Sequence, residues 1–230
     1  MAGRSRAKPN SSETPEIGQR PVDPPVQNGL MNDLKVLPGF FDAEAQQRLL
    51  KAVRNVVKAA PLFTPVMPRS GRPFSVRMSN CGPLGWVSDK EGYRYQPRHP
   101  VTGKPWPAIP EMLLDVWREL AGYPADPQAC LINWYDETAG LGMHIDADED
   151  AKKAPVVSIS LGDDALFRLG GPTPRGKTQS FRLSSGDVVV QGGASRRYRH
   201  GVDRIYPGTS TLLPDDWRPG RINLTLRRVN

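Results

Sequence analysis

The chain has 230 residues, of which 38% are hydrophobic and 24% charged, with a net charge of +7. That length supports one sizeable core, and no apolar run approaches the roughly 18 residues of a membrane helix, so an integral membrane protein is not expected. Cys81 and Cys130 are the only cysteines, which excludes a disulfide scaffold or a multi-cysteine metal site and fits a reducing cytoplasm; no basic-then-apolar leader is seen, so secretion is not expected either.

Residues 1–30 carry five prolines and no hydrophobic period, a composition that cannot bury enough surface to order itself, so a disordered tail is expected there and a single domain over 31–230. After Asp42, a candidate N-cap, Ala45, Leu49, Val53, Val56 and Val57 fall at helical spacing up to Pro61, which predicts an amphipathic helix. A second helix is predicted in PEMLLDVWRELAGY, with Pro110 in its first turn, an apolar stripe of Leu113, Val116, Trp117 and Leu120, and Gly122 as its stop. Beyond Gly122 the runs ACLINWY, PVVSISLG, ALFRLG, TQSFRL, DVVVQ and RINLTLRRV alternate with Gly, Pro and Asp. Closely spaced strands without intervening helices predict an antiparallel barrel or jelly roll.

Charge is unevenly distributed: residues 69–104 sum to +5, 105–163 to −8 and 164–230 to +7. An acidic middle between basic flanks suits a metal site inside a surface for a polyanion, or else basic residues that only solvate a surface.

Of three histidines, His144 opens His-Ile-Asp. In a strand, positions two apart share a face, so His144 and Asp146 can converge, with His200 supplying a third ligand from after DVVVQ. Two histidines and one carboxylate make the facial triad of non-haem Fe(II) oxygenases; the alternative is that His-x-Asp is a polar pair facing solvent. In RINLTLR, alternation puts Arg221, Asn223, Thr225 and Arg227 on one face and Ile222, Leu224 and Leu226 on the other. If the polar face looks inward, two guanidiniums share the metal's cavity and need an anion, which a small dicarboxylate supplies; otherwise the arginines face solvent.

MSNCGPLGW, EGYRYQP, KPWPAIP, ACLINWY, the His144-x-Asp146-x-Asp148 cluster, APVVSISLGDDALFRLGG, SSGDVVVQGG with His200, and RINLTLR occur in this order. Together they resemble the AlkB-type Fe(II)/2-oxoglutarate-dependent dioxygenases, which remove alkyl groups from nucleobases. The resemblance covers roughly residues 60–229. It implies a mainly β (α+β) fold: a double-stranded β-helix (jelly-roll) core with N-terminal packing helices and a nucleotide-recognition lid near 69–104. It implies Fe(II) on His144, Asp146 and His200, and 2-oxoglutarate on Asn133, Tyr135, Arg221, Asn223 and Arg227, with the far carboxylate at Arg221 and O2 as oxidant. Met78, Trp86, Tyr93 and Tyr95 are implied as base contacts, Asp148 as the carboxylate facing the base, and Arg175 as a nearby contact.

Gln191 and Trp134 depart from the family's tryptophan and arginine at those places. The activity implied is demethylation of bases of the 1-methyladenine and 3-methylcytosine type in single-stranded DNA or RNA, by a cytoplasmic monomer with no membrane partner. Arg69, Arg72, Arg77, Arg94, Arg98, Arg196, Arg197 and Arg199 are the candidate phosphate contacts. Two rivals remain at this point: an oxygenase of the same fold acting on a protein or small molecule, and a metal-stabilised nucleic-acid-binding module without turnover.

Overall fold

In the computed structural model, which describes residues 34–230, the first helix, α1 (Ala43–Ala59), begins where Asp42 caps it: the Asp42 carboxylate accepts from the Ala45 amide at 2.8 Å. Such a cap stabilises a helix by about 1 kcal/mol. Ala45, Leu49, Val53 and Val56 are buried, and Val57 is half-buried at the edge of the stripe. The second helix, α2 (Glu111–Leu120), has Pro110 at its N-cap and buries Leu113, Val116 and Trp117, while Gly122 just beyond it takes φ +57°. The tail expected at residues 1–30 lies outside the described residues.

Twelve strands are described: β1 (Leu34–Leu37), β2 (Arg77–Cys81), β3 (Gly85–Asp89), β4 (Gly92–Gln96), β5 (Ala129–Tyr135), β6 (Leu141–His144), β7 (Val156–Gly162), β8 (Asp164–Gly170), β9 (Thr178–Leu183), β10 (Val188–Gln191), β11 (His200–Tyr206) and β12 (Arg221–Arg227). A six-stranded sheet runs β1-β10-β7-β12-β5-β2, a four-stranded sheet runs β6-β11-β8-β9, and β3 with β4 forms a separate hairpin. Every pairing is antiparallel. With strands outnumbering helices so heavily, the chain is the mainly β jelly roll that the short, turn-separated runs predict.

The large sheet is apolar on its outer face, and both helices cover it. Ile222, Leu224 and Leu226 of β12 and Cys130 and Ile132 of β5 form one core with Leu49, Val53, Leu113, Val116 and Trp117. The opposite face of the same strands therefore looks toward the small sheet, which decides the alternation of RINLTLR in favour of inward arginines. Segment 69–104 divides in two. Its β2 is the edge strand of the large sheet, in register with β5 from Arg77↔Trp134 to Cys81↔Cys130, whereas β3 and β4 form a flap that pairs only with itself among the described strands.

β6 and β11 come close because Gly201 has no side chain: a Cβ there would lie 2.6 Å from the Leu141 carbonyl oxygen. This close approach sets His144 directly opposite His200 in the register.

Candidate metal centre and base pocket

His144, Asp146 and His200 offer ligand atoms that all lie within 4.8 Å of one another. The His144 Nδ1–H donates to the Gly142 carbonyl at 2.8 Å, which turns Nε2 toward Asp146 Oδ1, 3.5 Å away. On His200 it is again Nε2 that faces Asp146, 3.7 Å from Oδ2, while Nδ1 lies 3.3 Å from the Tyr198 carbonyl. Ring nitrogens occupied in this way set the tautomer that leaves Nε2 as the ligand.

Burial pushes His200 down to about 4, so its ring is neutral near pH 7, as a ligand must be. Burial alone would raise the Asp146 carboxyl, but the Arg227 guanidinium, reinforced by both histidines, holds it well below the usual carboxylate range. For His144 the neighbouring Asp146 outweighs burial and raises the ring's pKa.

The route to this convergence differs from the expected one. Strand β6 ends at His144, and Asp146 and Asp148 follow in irregular chain, so strand alternation is not what brings the three side chains together. The loop is held from outside: Arg196 Nη1 donates to the Asp146 carbonyl at 2.6 Å, and Arg227 Nη2 donates to Asp146 Oδ1 at 2.8 Å.

Arg221, Asn223, Thr225 and Arg227 line one cavity with Asn133, Tyr135 and the three triad residues. Arg221 is 1% exposed; its Nη2 donates to Ser160 Oγ at 2.6 Å and its Nη1 to the Asp163 carbonyl at 3.1 Å, but its Nε has no partner. Among the described residues no carboxylate lies within ion-pair distance of it. A buried guanidinium without an anion is costly, so this chemistry calls for an anionic ligand. Asn133 Oδ1 and Arg227 Nε are likewise buried without partners. Two histidines and a carboxylate beside an unpaired buried arginine therefore fit Fe(II) together with a dicarboxylate. Burial pushes Tyr135 up to about 12, so its phenol stays neutral.

A second cavity, of about 360 Å³, adjoins the first and shares His144, Asp146, Asn133 and Arg227 with it. Met67, Phe74, Met78, Trp86, Tyr93 and Asp148 also stand in its wall, and its volume and apolar lining suit a flat ring such as a base. Trp86 and Tyr93 stack at 5.6 Å between centroids, and Trp86 Nε1 donates to Asp148 Oδ2 at 2.7 Å.

Two expected base contacts stand elsewhere. Tyr95 is behind the wall, its hydroxyl donating to Glu149 Oε1 at 2.5 Å. Arg175 sits in the exposed loop between β8 and β9, where its carbonyl accepts from Thr173, and it lines neither cavity.

The candidate phosphate contacts also separate. Arg69, Arg72, Arg77 and Arg197 are exposed. Arg196 is a correction to the expected surface role: it is buried and spends its guanidinium on the Ala154 and Asp146 carbonyls and on Glu149. Arg94 is forked on Asp89, Arg98 donates to the Gly103 carbonyl and Arg199 to the Met143 carbonyl.

His99, remote from the triad, is a buried strut: its Nδ1 accepts from Val101 and Thr102 while Nε2 donates to the Pro61 carbonyl. Gln191 packs beside the metal site with its amide 3.4 Å from His200 Nδ1. Trp134 packs against the outer core under the Arg77 guanidinium, 5.7 Å from its ring centre.

Sequence reasoning missed Glu149. It sits in the acidic run Asp146, Asp148, Glu149, Asp150, which reads as solvated, yet it is fully buried and accepts from Tyr95, Arg196 and Arg227. No local signal marked it, because Arg196, its buried partner, also lies in a run of like charges.

A family model, that of the 2OG-Fe(II) oxygenase superfamily, matches residues 33–227. The chain is 49% identical over 194 residues to the alpha-ketoglutarate-dependent dioxygenase AlkB homolog of Caulobacter vibrioides strain NA1000 / CB15N, covering 84% of this chain and 86% of that one. It is 40% identical over 193 residues to the alpha-ketoglutarate-dependent dioxygenase AlkB of Escherichia coli strain K12, covering 82% and 87%. Among solved structures, that of OsALKBH1 superposes with a TM-score of 0.69 at 30% identity, covering 85% of this chain and 96% of that one.

Proposed function

The chain belongs to the AlkB-type dioxygenases of the 2OG-Fe(II) oxygenase superfamily, and from this premise we propose that it demethylates bases of the 1-methyladenine and 3-methylcytosine type in single-stranded DNA or RNA. It is an enzyme of that class, dependent on Fe(II), 2-oxoglutarate and O2. The observation that carries the substrate reading is the aromatic and methionine-lined cavity that opens onto the triad and holds Asp148 at its wall.

In this reading His144, Asp146 and His200 hold the metal, while Arg221 receives the far carboxylate of 2-oxoglutarate with Asn133, Tyr135, Asn223 and Arg227 around it. When bound, the metal and cosubstrate supply the oxidation: 2-oxoglutarate and O2 give succinate and carbon dioxide, the N-methyl carbon is hydroxylated, and it leaves as formaldehyde. The protein's own part is placement. Met78, Trp86 and Tyr93 enclose the flipped ring and exclude water, and Asp148 offers a carboxylate to its exocyclic amine. Flipping costs a few kcal/mol in a duplex and less in a single strand, which favours single strands. No described helix is long and apolar enough to cross a membrane, and the reading is of a cytoplasmic monomer.

Formaldehyde release from a single-stranded oligonucleotide bearing 1-methyladenine tests the reading. Faster release than from the same lesion in a duplex is expected, and no release from either overturns it. Asp148 adds a sharper test. Both favoured lesions are cations, and a hydrogen bond to a charged group is worth about 1.5–3 kcal/mol. Asp148→Asn keeps an oxygen for Trp86 and loses the charge, so repair of cationic lesions should drop about tenfold or more and repair of neutral 1-methylguanine should hold. Equal losses on both lesion types would show that charge does not select the substrate.

The exposed arginines predict a salt dependence. Affinity for single strands falls with log salt at about −0.7 per phosphate neutralised, so Arg69→Ala, Arg72→Ala and Arg77→Ala together should flatten the slope measured by fluorescence anisotropy. An unchanged slope and affinity would make that flank a solvated surface only.

A further inference from the structure

We propose that Glu149 is a positioning residue for the metal carboxylate, acting on Asp146 through Arg227; the inference rests on the reading of His144, Asp146 and His200 as metal ligands. Four charged side chains are buried in contact here, Asp146 and Glu149 against Arg196 and Arg227. Their formal charges cancel.

The important detail is how Arg227 is divided. Its Nη2 donates to Asp146 Oδ1 at 2.8 Å, and its Nη1 donates to Glu149 Oε1, also at 2.8 Å. A guanidinium free to choose forks both nitrogens onto one carboxylate. Here Glu149 takes one of them, so only Oδ1 of Asp146 is engaged and Oδ2 remains turned toward His200.

Glu149 cannot swing away from this task. Arg196 Nη2 holds its other oxygen at 2.8 Å, and the Tyr95 hydroxyl, from the flap strand β4, holds Oε1 at 2.5 Å. Arg196 Nη1 reaches on to the Asp146 carbonyl, so the backbone and the side chain of Asp146 are both fixed by partners that Glu149 orients. Without the Glu149 charge, the buried cluster carries one excess positive charge beside a dication site, and Asp146 is the only carboxylate left to Arg227. Arg227 is then free to close its fork over both oxygens of Asp146, including the one a metal needs.

The test titrates Co(II) alone, anaerobically and without 2-oxoglutarate, into the full chain, with circular dichroism confirming the fold at the titration temperature. Loss of a partner that orients a metal ligand weakens metal binding by about 10- to 100-fold, and Glu149→Gln should do so. Arg227→Gln removes the group that holds Asp146 Oδ1 and should itself weaken binding; because Glu149 acts through Arg227, adding Glu149→Gln to it should weaken Co(II) binding by no more than about threefold further.

A merely structural Glu149 would lower the melting temperature and leave the dissociation constant alone. Wild-type affinity in Glu149→Gln, or a full additional loss when Glu149→Gln is combined with Arg227→Gln, overturns the proposal. Should Glu149→Gln fail to fold, Glu149→Asp decides: it keeps the charge but is too short to reach both arginines, so weaker Co(II) binding supports the inference and unchanged binding overturns it. His144→Ala separates the two levels. If it loses Co(II) while Glu149→Gln keeps it, only Glu149 is misread; if His144→Ala binds as tightly as wild type, the triad itself falls and this inference with it.

Discussion

His144→Ala and His200→Ala are each expected to lose turnover completely while remaining folded. The three ligand atoms cluster within 4.8 Å, and the third histidine, His99, is locked into backbone contacts elsewhere, so no other described imidazole can replace a missing one. Each histidine packs at the rim of the cavity rather than in the helix-covered core, so deleting a ring should cost metal and little stability. Far-ultraviolet dichroism should match wild type, and formaldehyde release should fall to the level of metal-free protein. Full activity in either variant would contradict the triad.

Arg221→Ala should raise the KM for 2-oxoglutarate steeply. Truncating one member of a buried, hydrogen-bonded charge pair costs about 2–5 kcal/mol, which corresponds to about 30-fold or more in affinity. The guanidinium is buried, anchored through Ser160 and the Asp163 carbonyl, and has an Nε with nothing to bind. It is therefore rigid before its anion arrives. Because that contact is far from the reacting carbon, the loss should fall on KM more than on kcat. Arg221→Lys, which keeps the charge without the planar fork, should recover part of the affinity. An unchanged KM in Arg221→Ala would place the cosubstrate elsewhere.

How much of this was legible in the sequence depended on periodicity. RINLTLR alternates strictly, and its polar face does look into the cavity because Ile222, Leu224 and Leu226 are needed against the helices. The two helices and the runs at β5, β7, β8, β9, β10 and β12 were visible for the same reason. β6 and β11 were not, because LGMH and HGVDRIY are broken by glycine and mixed in polarity; their pairing depends on the missing side chain of Gly201.

The His144–Asp146 juxtaposition was foreseen through a strand that in fact ends at His144. What places Asp146 is Arg227, 81 positions away, and Arg196, 50 away, and no local pattern encodes such distances. Glu149 and Arg196 were hidden for a related reason. Each lies in a run of like charges, and only their mutual burial separates them from solvated neighbours.

One site is expected to couple consumption of 2-oxoglutarate to removal of a methyl group from a base. An omission series measures it most directly: Fe(II), 2-oxoglutarate, air and a single-stranded oligonucleotide with one 1-methyladenine, with succinate, formaldehyde and restored adenine quantified together. All three products are expected in equal amounts, and none when any component is left out. Succinate formed with no adenine restored, or adenine restored without 2-oxoglutarate, would contradict that coupling.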